Sequence, residues 1–254
     1  MWQLYDNLVD GIPSSLIVDE FFPADHFSFL KSGTCCGVSH TMRGSSRPPE
    51  YPGSPVGRSL KDAAAGIRSW NLAEASAGMA AINAYYNSRD HVNSIGLDAF
   101  TGSDTPHQAR RKHNPLDHPP KEMFGKKTAV IGHFPHIEEK LSDLCDLYIL
   151  ERNPRPGDYP DSASEYLLPE MDYIFATGMT LINKTLPRLL QLKSPHAKFV
   201  LVGPSGPLTP VLFEFGVDCI ASYVVTDPDF VCHVLKAGKK GMFQGGKMVE
   251  YFAP

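Results

Sequence analysis

The sequence predicts an α+β domain followed by an α/β domain with a mostly parallel sheet, and three observations support this prediction. Short β-rich runs between residues 16 and 42 precede helical periodicity between residues 60 and 87, which is the order of an α+β unit. Residues 98–124 are polar, lack apolar periodicity and contain four prolines. Residues 128–237 then alternate strand-like and helix-like segments. We therefore expect domains at 1–100 and 123–254, joined by a linker at 101–122.

The predicted first domain is a small antiparallel meander followed by two helices. Its β-rich runs are residues 16–22, 26–31 and 34–42. A loop rich in Pro, Gly and Ser is expected at 43–57, followed by helices at 60–67 and 71–87. In the longer helix, apolar residues recur at steps of three and four and predict one buried stripe: Leu72, Ala75, Met79, Ile82 and Tyr86.

The predicted second domain is a doubly wound, Rossmann-type sheet. Five apolar runs are the expected strands: 128–131, 147–151, 173–177, 199–202 and 219–225. The expected helices between and after them are 137–144, 181–192, 211–215 and 229–237. In such a sheet the ligand binds beyond the carboxyl ends of the strands, so the residues that follow each strand are the candidates for a site.

Composition and charge exclude several classes of protein. The 254 residues are 42% hydrophobic and 20% charged, which is ordinary for a globular chain. A net charge of −4 and a longest basic run of only Arg110-Arg111-Lys112 give no reason to expect a nucleic-acid partner. There is no 18-residue apolar stretch and no charged-then-apolar leader, and the five cysteines form no C-x-x-C pair. We expect a cytoplasmic protein with reduced thiols and no membrane partner; a homodimer stays an open option.

The turn after the first parallel strand argues against a dinucleotide site. Gly132 is followed by His133, Phe134 and Pro135, so no G-x-G-x-x-G is completed. Glu151 lies 19 positions after Gly132, near the spacing at which an acid binds ribose hydroxyls in Rossmann-type sites. The alternative is that Glu151 is only the first polar residue after a buried strand.

Two further turns carry candidate ligand contacts. Thr177-Gly178-Met179-Thr180 connects a strand to a helix, where the hydroxyls can cap the helix or contact an anion. Capping is the favoured role of Thr180, and Asn183 is expected to share its helix face. The loop 203–210, which begins Gly203-Pro204-Ser205, contains three prolines and two glycines and is expected to form a rigid ligand wall.

Histidine and cysteine patterns do not favour a structural zinc site. His133 and His136 are separated by a proline turn, and the linker residues His107, His113 and His118 lack the paired spacing of a zinc module. His133 is better interpreted as an acid, base or hydrogen-bond donor, since imidazole titrates near neutral pH. Cys35 and Cys36 are expected to be buried strand residues rather than nucleophiles.

Several short sequence segments together resemble the heavy-metal chelation family, a poorly characterised group of prokaryotic proteins. They are Val130 to Pro135, Glu151, Ala176 to Leu186, Val202 to Ser205 and Phe215 to Asp218. The resemblance implies an enolase N-terminal-like domain followed by a Rossmann-like domain, with a site between them, and over the first domain it adds Glu74 and Asn83 as ligand contacts. It does not imply enolase chemistry, because the barrel that carries the catalytic residues of enolase is missing.

The leading hypothesis is an enzyme, linked to heavy-metal chelation, that acts on a small flavin-, pterin- or siderophore-like molecule in the interdomain cleft, by condensation or hydrolysis. A metal chelator or its precursor is one option for this small-molecule partner. His133 is the predicted acid or base. The predicted ligand contacts are Gly132, Phe134, Glu151, Thr177, Gly178, Thr180, Asn183, Gly203, Pro204, Ser205, Glu74 and Asn83. The first alternative is a binding protein for a metal or metal complex. The second is a methyltransferase that uses S-adenosylmethionine, against which the first turn lacks the required glycines. No cofactor or metal ligand is assigned.

Overall fold

The computed structural model describes residues 2–43, 47–51 and 53–254. The first half contains a three-stranded antiparallel sheet in the order β1 (Glu20–Pro23), β2 (Phe27–Ser32) and β3 (Cys35–His40), which confirms the predicted meander. The strand expected at 16–22 begins late, since Ile17 forms only an isolated bridge with Ser59. Of the loop expected at 43–57, residues 44–46 and 52 lie outside the described residues.

The helices of the first half centre on one buried helix. They are α1 (Gln3–Asp10), α2 (Leu60–Ala65), α3 (Leu72–Tyr86) and α4 (Arg89–Ser94), with a 3₁₀ turn at Gly66–Arg68. Asn71 caps α3, because its Oδ1 accepts from the backbone N–H groups of Ala73 and Glu74. The prediction of a single buried stripe on α3 is wrong. Ten of its 15 residues are buried, since the helix packs on β2 and β3 and also against α2 and the 3₁₀ turn.

The segment predicted as a linker contains a helix, α5 (Pro106–Lys112). Thr105 and Gln108 form a capping box at its N-terminus. Ala109, Leu116 and Met123 are buried, so the segment is packed despite its polar composition. The helix contacts β10 (Gly246–Phe252), the last strand of the chain.

The large sheet has seven strands. Besides β10 they are β4 (Lys127–Ile131), β5 (Asp146–Glu151), β6 (Tyr159–Pro160), β7 (Tyr173–Thr177), β8 (Lys198–Val202) and β9 (Cys219–Val225). Their order across the sheet is β10-β9-β8-β7-β4-β5-β6, and only β10 is antiparallel to its neighbour. The five predicted parallel strands are confirmed, whereas β6 and β10 were not predicted.

The helix predicted at 181–192 is two helices, because the chain turns between Asn183 and Thr185. Asn183 Oδ1 accepts from both the N–H and the hydroxyl of Thr185, and Lys184 has a φ of 64°. The helices of this half are α6 (Ile137–Leu141), α7 (Ser164–Leu167), α8 (Met179–Ile182), α9 (Leu186–Leu192), α10 (Val211–Glu214) and α11 (Pro228–Lys236). No helix in the described part of the chain is long and apolar enough to cross a membrane.

One apolar cluster joins the two halves. It includes Leu30 and Met79 from the first half with Leu201 and Ile220 from the second. Because the core is shared, the small sheet and α3 are held against the large sheet at the loop that follows β8. The boundaries predicted for the two domains stay a prediction.

Candidate ligand-binding cleft

A cleft of about 690 Å³ lies at the carboxyl ends of β4, β5, β7 and β8. It lies where the strand order reverses, between the adjacent strands β4 and β7. From β4 the chain continues to β5 on one side of this pair, whereas from β7 it continues to β8 on the other side. The small sheet contributes Phe27 and His40 to its lining, and the segment around α5 contributes Arg110, Asn114 and Leu116. The histidine-bearing segment that the sequence predicted as a linker therefore forms part of the cleft wall.

Nine of the thirteen predicted site residues line this cleft, and four do not. Glu74, Asn83, Gly178 and Ser205 are absent from its lining. The nine that line it are Gly132, His133, Phe134, Glu151, Thr177, Thr180, Asn183, Gly203 and Pro204.

His133 is held by a buried carboxylate that the sequence did not predict. Its Nδ1 lies 3.0 Å from Asp158 Oδ2, and the two side chains are only 7% and 2% exposed. Asp158 also accepts the backbone N–H of Arg155 at 2.9 Å, which fixes the carboxylate in place. The other ring nitrogen, Nε2, lies 3.5 Å from Glu138 Oε1, on a side chain that is 53% exposed. The imidazole is thus oriented by one buried carboxylate and faces a second, exposed one.

Glu151 shapes the turn after β4. Its carboxylate accepts the backbone N–H of His133 at 2.9 Å and that of Asn153 at 3.1 Å. The acid at the end of β5 therefore ties the His133 turn to the neighbouring strand. A carboxylate has four lone-pair sites, so these two bonds leave room for a ligand donor.

The turns after β4 and β7 meet closely. Gly132 has a φ of 100°, and a Cβ there would lie 3.0 Å from Thr177 Cγ2, so both its conformation and its space require glycine. Thr177 Oγ1 accepts the N–H of Met179 at 3.3 Å. The prediction that Thr180 caps the helix is wrong, because its buried hydroxyl donates to the carbonyl of Thr177 at 2.8 Å.

The four predicted residues outside the lining join parts of the fold. Ser205 is fully buried and accepts the backbone N–H of His40 at 2.9 Å. Asn83 donates to the carbonyls of Val38 and Pro204 at 2.8 and 3.0 Å. Glu74 accepts the N–H groups of Glu50 and Tyr51, both at 2.8 Å. A Cβ at Gly178 would lie 2.8 Å from the Gly206 nitrogen, so this glycine permits close approach of two loops.

The cations of the cleft differ in their partners. Lys140 pairs with Asp117 at 2.7 Å, Arg152 with Asp161 at 3.2 Å and Arg188 with Glu165 through two nitrogens. Among the described residues, no carboxylate pairs with Arg110, whose guanidinium lies 5.0 Å from the centroid of the Phe243 ring.

A group of three possible metal donors is built around His133, which lines the cleft: His133, Glu138 and Asp158 have ligand atoms within 4.8 Å of one another. No cysteine lines the cleft, and burial raises the pKa of all five thiols, that of Cys219 to about 12. The available donors are therefore nitrogen and oxygen. These suit metals of intermediate softness better than the softest ions, which select thiolates.

Comparison with known proteins agrees with the sequence resemblance. Two family models, both described as "Putative heavy-metal chelation", match residues 114–253 and 5–86. An uncharacterized protein of Methanocaldococcus jannaschii is 36% identical over 133 residues, which span 50% of this chain and 51% of that protein. The chain therefore matches about half the length of this curated relative.

Two crystal structures extend the comparison to the whole chain. A protein of unknown function from Desulfitobacterium hafniense is 37% identical, with a TM-score of 0.89, and the match covers 100% of this chain and 99% of that one. A second protein of unknown function, from Pyrococcus horikoshii, is 23% identical with a TM-score of 0.75 over 99% of this chain and 98% of that one; its likeness concerns the fold alone. Both come from the family matched at residues 114–253. Since that match alone spans more than half of the chain, the protein belongs to this heavy-metal chelation family, as the sequence resemblance predicted.

Proposed function

We propose that the protein is an enzyme that acts on a small flavin-, pterin- or siderophore-like molecule in the cleft, by condensation or hydrolysis. The observation that carries the proposal is the buried pairing of His133 with Asp158, just beyond the carboxyl end of β4. The proposed architecture is an enolase N-terminal-like unit packed on a Rossmann-like unit. Numbered from β4, the six parallel strands have the order 3-2-1-4-5-6, which supports the Rossmann-like assignment and a ligand at the strand-order reversal.

His133 is suited to move a proton. A carboxylate on Nδ1 holds an imidazole in the tautomer that leaves Nε2 free, and it stabilises the imidazolium that forms when Nε2 accepts a proton. His133 Nε2 can then remove a proton from a nucleophile and return it to a leaving group, which is the sequence of steps that both hydrolysis and condensation require. Glu138, at 3.5 Å, can receive or relay that proton because most of its side chain reaches solvent.

The remaining cleft residues would bind rather than react. Thr177, Asn183 and the loop at Gly203 supply hydroxyl, amide and backbone groups, and most of the surface that the cleft exposes is apolar although charged side chains also line it. A concave, mostly apolar site with a few fixed polar groups is the usual form of a small-molecule site.

The test is to find molecules that the wild-type protein transforms and a His133→Ala variant does not. Both proteins are incubated with the same bacterial small-molecule extract, and products are followed by untargeted mass spectrometry. Loss of a general acid or base costs about 10² to 10⁴ in rate, so wild-type-dependent changes should vanish on this scale in His133→Ala. Glu151→Gln should slow them less, because its single amide oxygen can still accept the N–H of His133, although its NH2 group cannot accept that of Asn153.

The matched control is His107→Ala, an exposed histidine on α5 that does not line the cleft. It should transform the extract as the wild type does. If no mass feature distinguishes wild type from His133→Ala, the proposed acid–base role is wrong.

The donor group His133, Glu138 and Asp158 favours a second candidate function, binding of a metal or metal complex without chemistry. Histidines that ligate metals commonly donate their second N–H to a carboxylate, as His133 does to Asp158. In this arrangement His133 Nε2 and Glu138 would be the ligands, and the bound chelator or water would complete the coordination.

Calorimetric titration of the tag-free protein with nickel, cobalt, copper and zinc tests this candidate. We expect one site per chain, and roughly 10- to 100-fold weaker binding in Asp158→Asn, which is the usual cost of losing such an outer carboxylate. Glu138→Gln should weaken binding further because it removes a ligand. Glu139→Gln is the control, since within the described residues the exposed His136 is the pairing partner of Glu139. Absence of stoichiometric uptake would contradict direct metal binding while leaving the enzymatic proposal intact.

A further inference from the structure

We infer that the cleft wall formed by Phe27, His40, Phe243 and Arg110 binds a planar aromatic group with an acidic substituent. The ligand of the cleft would then be an aromatic acid. This inference rests on the proposed function for the cleft and adds the class of its ligand. These four residues are called the aromatic wall below.

The aromatic wall brings together side chains from four separate parts of the chain, all of which line the cleft. The rings of Phe27 and His40 have centroids 4.6 Å apart, and those of Phe27 and Phe243 are 6.1 Å apart and nearly perpendicular. Arg110 completes the group over the Phe243 ring. Rings at these distances offer both faces and edges to a planar guest, whose ring would add to the same network.

The wall is fixed from behind by buried contacts. Tyr223 packs edge-on against Phe243, with centroids 5.3 Å apart, and its hydroxyl donates to the carbonyl of Met242 at 2.8 Å. Ser205 holds the backbone of His40. A wall that is already in place before the ligand arrives loses little conformational entropy on binding.

His40 presents a neutral hydrogen-bond donor to the cleft. Its Nδ1 lies 3.2 Å from Ser205 Oγ, and that fully buried hydroxyl already accepts the backbone N–H of His40. Nδ1 is the other polar atom bonded to this hydroxyl among the described residues, so we assign it as the acceptor of the hydroxyl proton, which places the ring proton on Nε2. Burial lowers the pKa of His40 to about 4, which keeps the ring neutral at physiological pH.

The Nε2–H of His40 is accessible. No described residue accepts a hydrogen bond from it. Among the described side chains, Asn83 Oδ1 is the one buried nitrogen or oxygen without a partner, so the unpartnered Nε2 of His40 is not buried. Because His40 lines the cleft, this nitrogen reaches its open space. It can donate to a ring nitrogen or carbonyl of the guest without the desolvation cost of a charge.

Arg110 supplies the charge that selects an acid. The cleft lining contains four cationic side chains of Lys and Arg but three carboxylates. Lys140, Arg152 and Arg188 have carboxylate partners, which leaves Arg110 as the lining cation without one in the described part of the chain. The guanidinium lies over the Phe243 ring, and its N–H groups have no carboxylate partner among the described residues, so they are available to a carboxylate, which arginine binds through two parallel bonds.

The test compares aromatic acids with their neutral and non-aromatic counterparts on the full-length protein. The probes are pterin-6-carboxylate and 2-naphthoate, the primary amide of each, and cyclohexanecarboxylate, with affinities measured by calorimetry. At least one aromatic acid should bind roughly tenfold or more tightly than its amide, because the acid gains a charge-assisted bond. Cyclohexanecarboxylate should bind more weakly than either aromatic acid. If neither aromatic acid is preferred to its amide, the inference is wrong.

Arg110→Gln should abolish the preference for the acid over the amide, and Arg110→Lys should restore it only in part, because lysine lacks the planar fork. Arg111→Gln, at the neighbouring exposed position outside the lining, should keep the full preference. Phe243→Leu should weaken acid and amide alike. If Arg110 only packs α5 against Phe243, Arg110→Gln will lower Tm and weaken all probes equally, which would overturn its assignment to an acid.

The outcome can be separated from that of the proposed function. His133→Ala should retain the probe preference, since His133 lies outside the aromatic wall. Intact acid preference without any His133-dependent turnover would leave the ligand class standing and refute the enzyme. His133-dependent turnover without any preference for the acid would refute the ligand class and leave the proposed enzyme standing.

Discussion

Replacing Gly37 with alanine is expected to lower the free energy of unfolding by about 4 kcal/mol or more, at the upper end of what single substitutions cause. A Cβ at this position in β3 would lie 2.2 Å from the nitrogen of Ala84 and 2.4 Å from the carbonyl oxygen of Ala80, both backbone atoms of α3. Backbone atoms of a buried helix cannot rotate away, so α3 must move off the small sheet. Inside a strand, alanine is intrinsically more favourable than glycine. The steric clash with α3 therefore has to outweigh this gain in stability for the variant to be less stable.

Thermal unfolding measures this effect. A loss of about 4 kcal/mol should lower Tm by roughly 8 to 16 °C in a protein of this size. Gly102→Ala is the control, because a Cβ at Gly102 meets only Asp98 Oδ2, at 3.8 Å, and should change stability by less than about 0.5 kcal/mol. Equal Tm values for the two variants would show that α3 does not pack on Gly37 as described. Because β3 carries His40, the same displacement should also weaken binding of aromatic acids to any folded protein that remains.

The sequence predicted the large sheet well because its central strands are buried on both faces. Residues 173–177 and 219–225 read as continuous apolar runs, and the structure places strands at these positions. β10 was missed because Lys247 and Glu250 interrupt its apolar residues, as expected for an edge strand. α1 was missed although Leu4, Tyr5, Leu8 and Val9 are buried at helical spacing, a signal that a closer reading of the first ten residues could have used.

The cleft was predictable only where a topological rule applies. His133, Glu151 and Thr177 follow strands that run parallel, so their convergence could be expected without coordinates. Asp158, His40 and Arg110 follow no such rule. They lie in a turn, an antiparallel strand and a presumed linker, and long-range packing alone brings Asp158 to His133 and the other two to the cleft wall. The loop 203–210 was predicted as a ligand wall, but of its residues only Gly203 and Pro204 line the cleft in the described structure, and Ser205 bonds to His40 instead.

Removing the side chain of Asn87 is the second substitution with a large expected effect, about 3 kcal/mol. Asn87 is 2% exposed and follows the last residue of α3. Its Oδ1 accepts the N–H of Leu208 at 2.8 Å, and its Nδ2 donates to the carbonyls of Gly206 and Tyr223 at 3.2 and 3.3 Å. Asn87→Ala removes the acceptor of the buried Leu208 N–H, and an unpaired group of this kind costs about 1 to 3 kcal/mol, less where the structure relaxes or admits water. The Gly206 carbonyl keeps the Ser222 hydroxyl as a donor, so the main cost falls on Leu208.

Because of where the Asn87 hydrogen bonds lie, their loss should change the stability of one region as well as the overall free energy of unfolding. They connect the end of α3 to the loop that follows β8, so Asn87→Ala should loosen the junction between the two sheets before the sheets themselves. Hydrogen exchange can separate the two effects: the amide of Leu208 should exchange much faster in the variant, while amides in β7 should change only with overall stability. Asn93→Ala, at an exposed position in α4, should leave both unchanged. If Leu208 keeps its protection in Asn87→Ala, the apolar cluster shared by the two halves is enough to hold the two sheets together without these polar bonds.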